Sequence, residues 1–101
     1  SRLGLSPSND GQVIRLNFPP LTEERRKELV RVVRGMAEDG RISIRHARRG
    51  ARHDLEGLEH DGDISADDLT RAEKELDKLT QKYEADVGVA LEHKEQELLE
   101  V

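Results

Sequence analysis

Apolar residues recur at spacings of three and four over two long stretches of this chain. The first runs Leu29, Val33, Met36, Gly40, Ile44, Ala47, Ala51, Leu55 and Leu58. The second runs Leu69, Ala72, Leu76, Leu79, Tyr83, Val87, Ala90 or Leu91, Lys94 and Leu98. That rhythm puts the apolar side chains of each stretch on one helical face. The first stretch predicts a helix of about 37 residues, about 55 Å long at the α-helical rise. Thr22 stands where its N-cap belongs, and Glu23 and Glu24 follow in the first turn, where acids complement the helix dipole. His60-Asp61-Gly62-Asp63-Ile64 predicts a turn, and Ser65-Ala66-Asp67-Asp68 opens the second helix as a capping box with Asp in place of the usual Glu. The expected fold is mainly α, a long antiparallel helical hairpin. Two helices leave one side of such a seam open, so the pattern calls for a third.

Glycines interrupt the first stretch at Gly35, Gly40, Gly50 and Gly57. Each costs up to about 1 kcal/mol relative to Ala inside a helix. Gly40 lies on the apolar stripe, where it would permit close backbone approach; the other three have no such role. The helix is therefore expected to be weaker or more bent than its length suggests.

The first eighteen residues follow another period. Asn9-Asp10-Gly11 is a turn signal, and Ile14, Leu16 and Phe18 then alternate with Arg15 and Asn17. Alternation of this kind predicts a half-buried strand. A lone strand is not stable, so partners outside this chain are expected. Pro19-Pro20 ends the strand and stiffens the joint, because each proline fixes φ and lacks an N–H donor.

Composition narrows the class further. Of 101 residues 39% are charged and 34% apolar, with one Phe, one Tyr and no Trp, which suits long amphipathic helices better than a sandwich or an α/β enzyme fold. The absence of cysteine excludes disulfides and thiol chemistry and fits a cytoplasmic setting. No apolar run approaches the roughly 20 residues that span a bilayer. The first ten residues lack the apolar centre of a secretory signal, so no such signal is expected there. The net charge of −5 hides an asymmetry: residues 21–52 hold ten Lys/Arg against five Asp/Glu, and residues 53–101 hold five against sixteen. Such halves attract each other as antiparallel neighbours, or the basic one faces a polyanion.

The chemistry gathers at Arg41, Arg45, Arg48 and Arg52, each one residue off a core-type position, with Arg49 widening the row. Guanidinium groups present planar forks of donors that match phosphate oxygens and stay charged at any relevant pH. By spacing alone the commoner outcome ranks first: a solvated charged face paired with acids on the neighbouring helix. His46, His53 and His60 recur every seven residues, a rise of about 10.5 Å, too far for two imidazoles to share one metal ion. No metal or cofactor is assigned. No nucleophile–base–acid spacing, phosphate-cradling glycine loop or cleft for paired carboxylates appears, so an enzyme is not expected.

Several separate segments carry a family resemblance, in order and along the whole chain. Ser1-Arg2-Leu3-Gly4-Leu5-Ser6-Pro7-Ser8-Asn9-Asp10-Gly11 resembles the approach to the last strand of the bacterial ribosome recycling factors. Pro20-Leu21-Thr22-Glu23-Glu24-Arg25-Arg26-Lys27-Glu28-Leu29-Val30 resembles the start of their second long helix, and Ile44-Arg45-His46-Ala47-Arg48-Arg49-Gly50-Ala51 their arginine motif. His93-Lys94-Glu95-Gln96-Glu97-Leu98-Leu99-Glu100-Val101 resembles their C-terminus. Gly50 and His46 depart from the family, which usually has a helix-friendly residue and Asn there.

The resemblance implies a three-helix bundle with a small β domain inserted after the first helix. This chain would then hold the end of the β domain in residues 1–18, a hinge in residues 19–21 and the second and third helices in residues 22–101, with the first helix and most strands absent. It implies a hinge at Phe18, Pro19 and Pro20. It also implies contact with large-subunit rRNA through Arg45, Arg48 and Arg49, and Arg41 and Arg52 of the same row are taken with them. The implied activity is non-enzymatic: with elongation factor G and GTP, the factor splits the post-termination ribosome. The isolated chain, with its seam open, is expected to self-associate or to unfold in part. The competing reading is a helical-hairpin interaction module without a ribosomal role.

Overall fold

The computed structural model describes residues 21–100, which form two helices: α1, Glu23–His60, and α2, Ala66–Leu99. The expected strand over residues 12–18 and the Phe18-Pro19-Pro20 hinge lie outside the described residues.

Local signals fix the ends. Thr22 is extended (φ −71°, ψ 160°), and its hydroxyl accepts from the backbone N–H of Arg25 at 3.0 Å. α1 then runs unbroken for 38 residues, through all four glycines. It closes at Asp61, and Gly62 turns the chain at φ +82°, a left-handed conformation that glycine adopts without steric cost. Ser65 and Asp68 complete the capping box in both directions: Asp68 N donates to Ser65 Oγ at 3.0 Å, and Ser65 N donates to Asp68 Oδ2 at 3.1 Å. The bond from Ser65 N to Oδ2, together with the Ser65 hydroxyl, holds the Asp68 carboxyl below its ordinary pKa, with Arg71 adding attraction.

Cross-helix partners fix the register. Arg34 meets Glu95, Gly40 faces Val87, Arg45 meets Glu84 and Arg52 meets Glu73, so a step forward on α1 matches a step back on α2. The seam is narrow. Ala37 is the one buried hydrophobic residue among those described. Along the rest of the seam, Val30, Val33, Ile44, Ala51 and Leu55 of α1 and Leu69, Leu76, Thr80, Val87, Leu91 and Leu98 of α2 are half-buried.

On α2 the buried line differs from the predicted stripe. Leu79, Tyr83, Ala90 and Lys94 are exposed, while Thr80 and Glu84 are half-buried. The apolar residues of α2 form two adjacent lines, and one helical neighbour covers only one of them. Met36, Ala47 and Leu58 of α1 stay exposed for the same reason. At 100° per residue, Val32 and Met36 fall on the same flank of the hairpin as Leu79 and Tyr83. Gly40 does not mark close backbone approach: a Cβ there would meet only the Val87 side chain, at 3.9 Å.

Candidate nucleic-acid interface

The flank opposite those exposed apolar residues is built from α1 arginines and α2 acids. Arg34, Arg45, Arg48 and Arg52 project to one side of α1, and their partners project to the same side of α2. Arg45 Nε donates to Glu84 Oε2 at 3.1 Å, Arg48 Nε to Asp77 Oδ1 at 2.9 Å, and Arg52 Nε to Glu73 Oε2 at 3.1 Å. Arg52 also lies 3.8 Å from Glu56, one turn along its own helix. Arg34 pairs more fully, with Nε 2.6 Å from Glu95 Oε2 and Nη2 3.5 Å from Oε1. That pair holds the Glu95 carboxyl below its ordinary pKa and the Arg34 guanidinium above its own. The acid pairing that charge spacing favours is thus present at Arg45, Arg48 and Arg52.

The pairing is incomplete in a way that matters for anions. Among the described residues no hydrogen bond uses Nη1 or Nη2 of Arg45, Arg48 or Arg52. Each carboxylate occupies the Nε edge, and the terminal amino groups keep their donors. Arg45 and Arg48, with Asp77, Thr80, Gln81 and Glu84, line a shallow depression of about 330 Å³. Arg49 is exposed and forms no ion pair among the described residues. Arg41 is half-buried and lies across α2, where a Cβ on Gly88 would stand 3.5 Å from its Nη2. The five predicted arginines therefore divide into three half-open forks, one exposed cation and one side chain laid over the partner helix.

Sequence reasoning missed Arg26, which closes the open end of the hairpin. Its Nη1 donates to the carbonyls of Leu98 at 3.1 Å and Glu100 at 3.0 Å. Nothing local signals this, since the partners are 72 and 74 residues away. Among the described residues no group of three or more His, Asp or Glu side chains is placed to hold a metal ion, and no helix is long and apolar enough to cross a membrane.

A family model described as ribosome recycling factor matches residues 1–99. The chain belongs to the ribosome recycling factor family. Curated relatives named ribosome-recycling factor agree: it is 56% identical to that of Rubrobacter xylanophilus and 52% identical to that of Acidothermus cellulolyticus, each over 101 residues. The protein of Nocardioides sp. is 54% identical over the same span. In each comparison all of this chain aligns, but with only 54–55% of the relative, so it spans about half the length of the recycling factors it matches.

Proposed function

We propose that this chain serves as the rRNA-docking part of a ribosome recycling factor. Its α1 arginines Arg45, Arg48, Arg49 and Arg52 face phosphates of the large ribosomal subunit, and Arg41, laid across α2, borders the same row. In the whole protein that docking works with elongation factor G to split the post-termination ribosome, a cytoplasmic, non-enzymatic role. Residues 1–18 are read as the end of a small β domain, and Phe18, Pro19 and Pro20 as the hinge joining it to the rod formed by residues 22–101. The observation that carries the reading is the row of half-open guanidinium forks in a chain of this family.

The test is co-sedimentation of the chain with purified large ribosomal subunits. Affinity is expected to fall steeply between about 50 and about 200 mM salt, because docked arginines release phosphate counterions. Arg45→Ala with Arg48→Ala and Arg49→Ala should remove most binding at low salt while leaving helicity in place. Unchanged binding of that triple variant would overturn the reading. It would favour instead a helical-hairpin interaction module, a view that the exposed line of Val32, Met36, Leu79 and Tyr83 supports.

A further inference from the structure

We infer that Asp77, Glu84 and Glu73 of α2 are positioning residues for anion binding: by holding the Nε edges of Arg48, Arg45 and Arg52, they aim the Nη amino groups outward at phosphate. The inference rests on the arginine reading above and adds a claim about its sign. Simple charge counting gives the opposite expectation. An acid about 3 Å from a guanidinium should weaken anion binding, and its removal should strengthen it. The geometry argues otherwise.

A free arginine side chain samples many rotamers and gives up that freedom when it docks. Here one carboxylate oxygen per arginine fixes the plane of the guanidinium through Nε, at 3.1 Å for Glu84, 2.9 Å for Asp77 and 3.1 Å for Glu73. None of the three carboxylates takes a second bond from the terminal amino groups. Those amino groups are what a phosphate oxygen pair needs. Two of the acids, Glu84 and Glu73, are themselves half-buried against α1 and so make firm anchors, with side-chain exposures of 31% and 27%. Arg34 is the internal contrast. Glu95 engages both its Nε and its Nη2, taking the whole Nε–Nη2 edge as a bidentate pair, so Arg34 is assigned to holding the hairpin and not to the docking row.

The experiment compares Asp77→Ala, Glu84→Ala and, as a charge-matched control, Glu92→Ala in binding to purified large ribosomal subunits across a salt series. Glu92 is exposed on α2 and forms no ion pair among the described residues. Positioning predicts that Asp77→Ala and Glu84→Ala each weaken binding by about three- to tenfold, while Glu92→Ala leaves it equal or slightly tighter. It also predicts that the slope of log affinity against log salt does not become shallower, because Arg45 and Arg48 still neutralise their phosphates, whereas an arginine that no longer docks would cost roughly 0.7–0.9 of slope for each phosphate lost. A variant that only unfolds part of the rod would instead lose helical circular dichroism, which positioning leaves unchanged. Asp77→Glu, which keeps the carboxylate, should recover most of the binding. Binding by Asp77→Ala and Glu84→Ala that equals or exceeds that of Glu92→Ala would overturn the positioning role and make the acids competitors, with the arginine reading intact. Undiminished binding by the Arg45, Arg48, Arg49 triple variant would overturn both.

Discussion

Arg26 stands in the first turn of α1, yet its Nη1 donates to the carbonyl of Leu98 near the end of α2, 3.1 Å away. A second bond from the same atom reaches the Glu100 carbonyl at 3.0 Å, and Nε reaches back to Leu21 O at 3.3 Å. The last carbonyls of a helix have no intrahelical partner and carry the negative end of its dipole. α2 has no basic residue in its own last turn. α1 supplies the missing cation, and in doing so ties the two chain-distant ends of the hairpin together.

Arg26→Ala should therefore fray the last turn of α2 and lower stability by about 1 kcal/mol, the usual size of a partly exposed charged hydrogen bond with a dipole contribution. Amide hydrogen exchange is expected to quicken at Glu97 to Glu100 and to stay unchanged near the turn at Gly62. Uniform quickening along both helices would show instead that Arg26 supports the whole seam. Arg26→Lys should recover only part of the effect, because one ammonium lacks the second edge that bonds to Leu21.

The glycines separate by conformation. At Gly35, Gly50 and Gly57 an added Cβ meets nothing within 4 Å, and none has positive φ. Gly50→Ala is expected to raise stability by about 0.5–1 kcal/mol, because alanine restricts the unfolded chain and fits helical backbone without strain. Subunit binding should tighten with it, since the neighbouring Arg49 and Arg48 then sit on a stiffer rod. Gly62→Ala also meets no atom within 4 Å, but at φ +82° the penalty is in the backbone, about 1–2 kcal/mol. Thermal melts of the two variants should shift in opposite directions. A lower midpoint for Gly50→Ala would mean that the helix uses flexibility at that point.

Acid should weaken the hairpin through identifiable carboxylates. Asp68 is held below its ordinary pKa by the Ser65 hydrogen bonds, Glu95 by Arg34 and Glu97 by Lys94. A group whose pKa is depressed on folding contributes stability above its unfolded value. That contribution disappears as pH falls through the depressed folded-state value. The weakening should thus begin near the ordinary carboxylate range and continue below it. Melting midpoints at neutral pH and near pH 3 should differ less in Asp68→Asn than in the parent chain. An undiminished difference would place the acid sensitivity in other carboxylates.

Both helices, the turn and both N-caps were legible in the sequence because their causes are local. Thr22, Gly62 and the Ser65–Asp68 pair each act within a few residues. Periodicity also found the apolar faces, but not which line of each face is covered, since Leu76 and Leu79 look alike until a neighbour lies on one of them. The arginine row was legible as a row. Its partners were not: Asp77, Glu84 and Glu73 are ordinary acids among many, and only the register of the hairpin selects them. Arg26 was hidden for the same reason, and Gly88 gains its meaning only from Arg41 lying across it.

The uncovered line makes a final prediction about association. Val32, Met36, Leu79 and Tyr83 are 54%, 65%, 53% and 50% exposed, and they share the flank opposite the arginines. Burying apolar area is worth about 25 cal/mol per Å², so covering several such side chains favours association between copies of the chain when no other helix is present. Sedimentation at rising concentration should show self-association. Because apolar burial drives it, salt should leave it unchanged or strengthen it, the opposite of the dependence expected for rRNA docking. Met36→Glu combined with Tyr83→Lys should hold the chain monomeric while leaving α1 and α2 formed, since neither residue lies in the covered seam. A parent chain that stays monomeric at high micromolar concentration would show that this flank is tolerated in water. Association that disappears with salt would assign it instead to the opposed charges of the two helices.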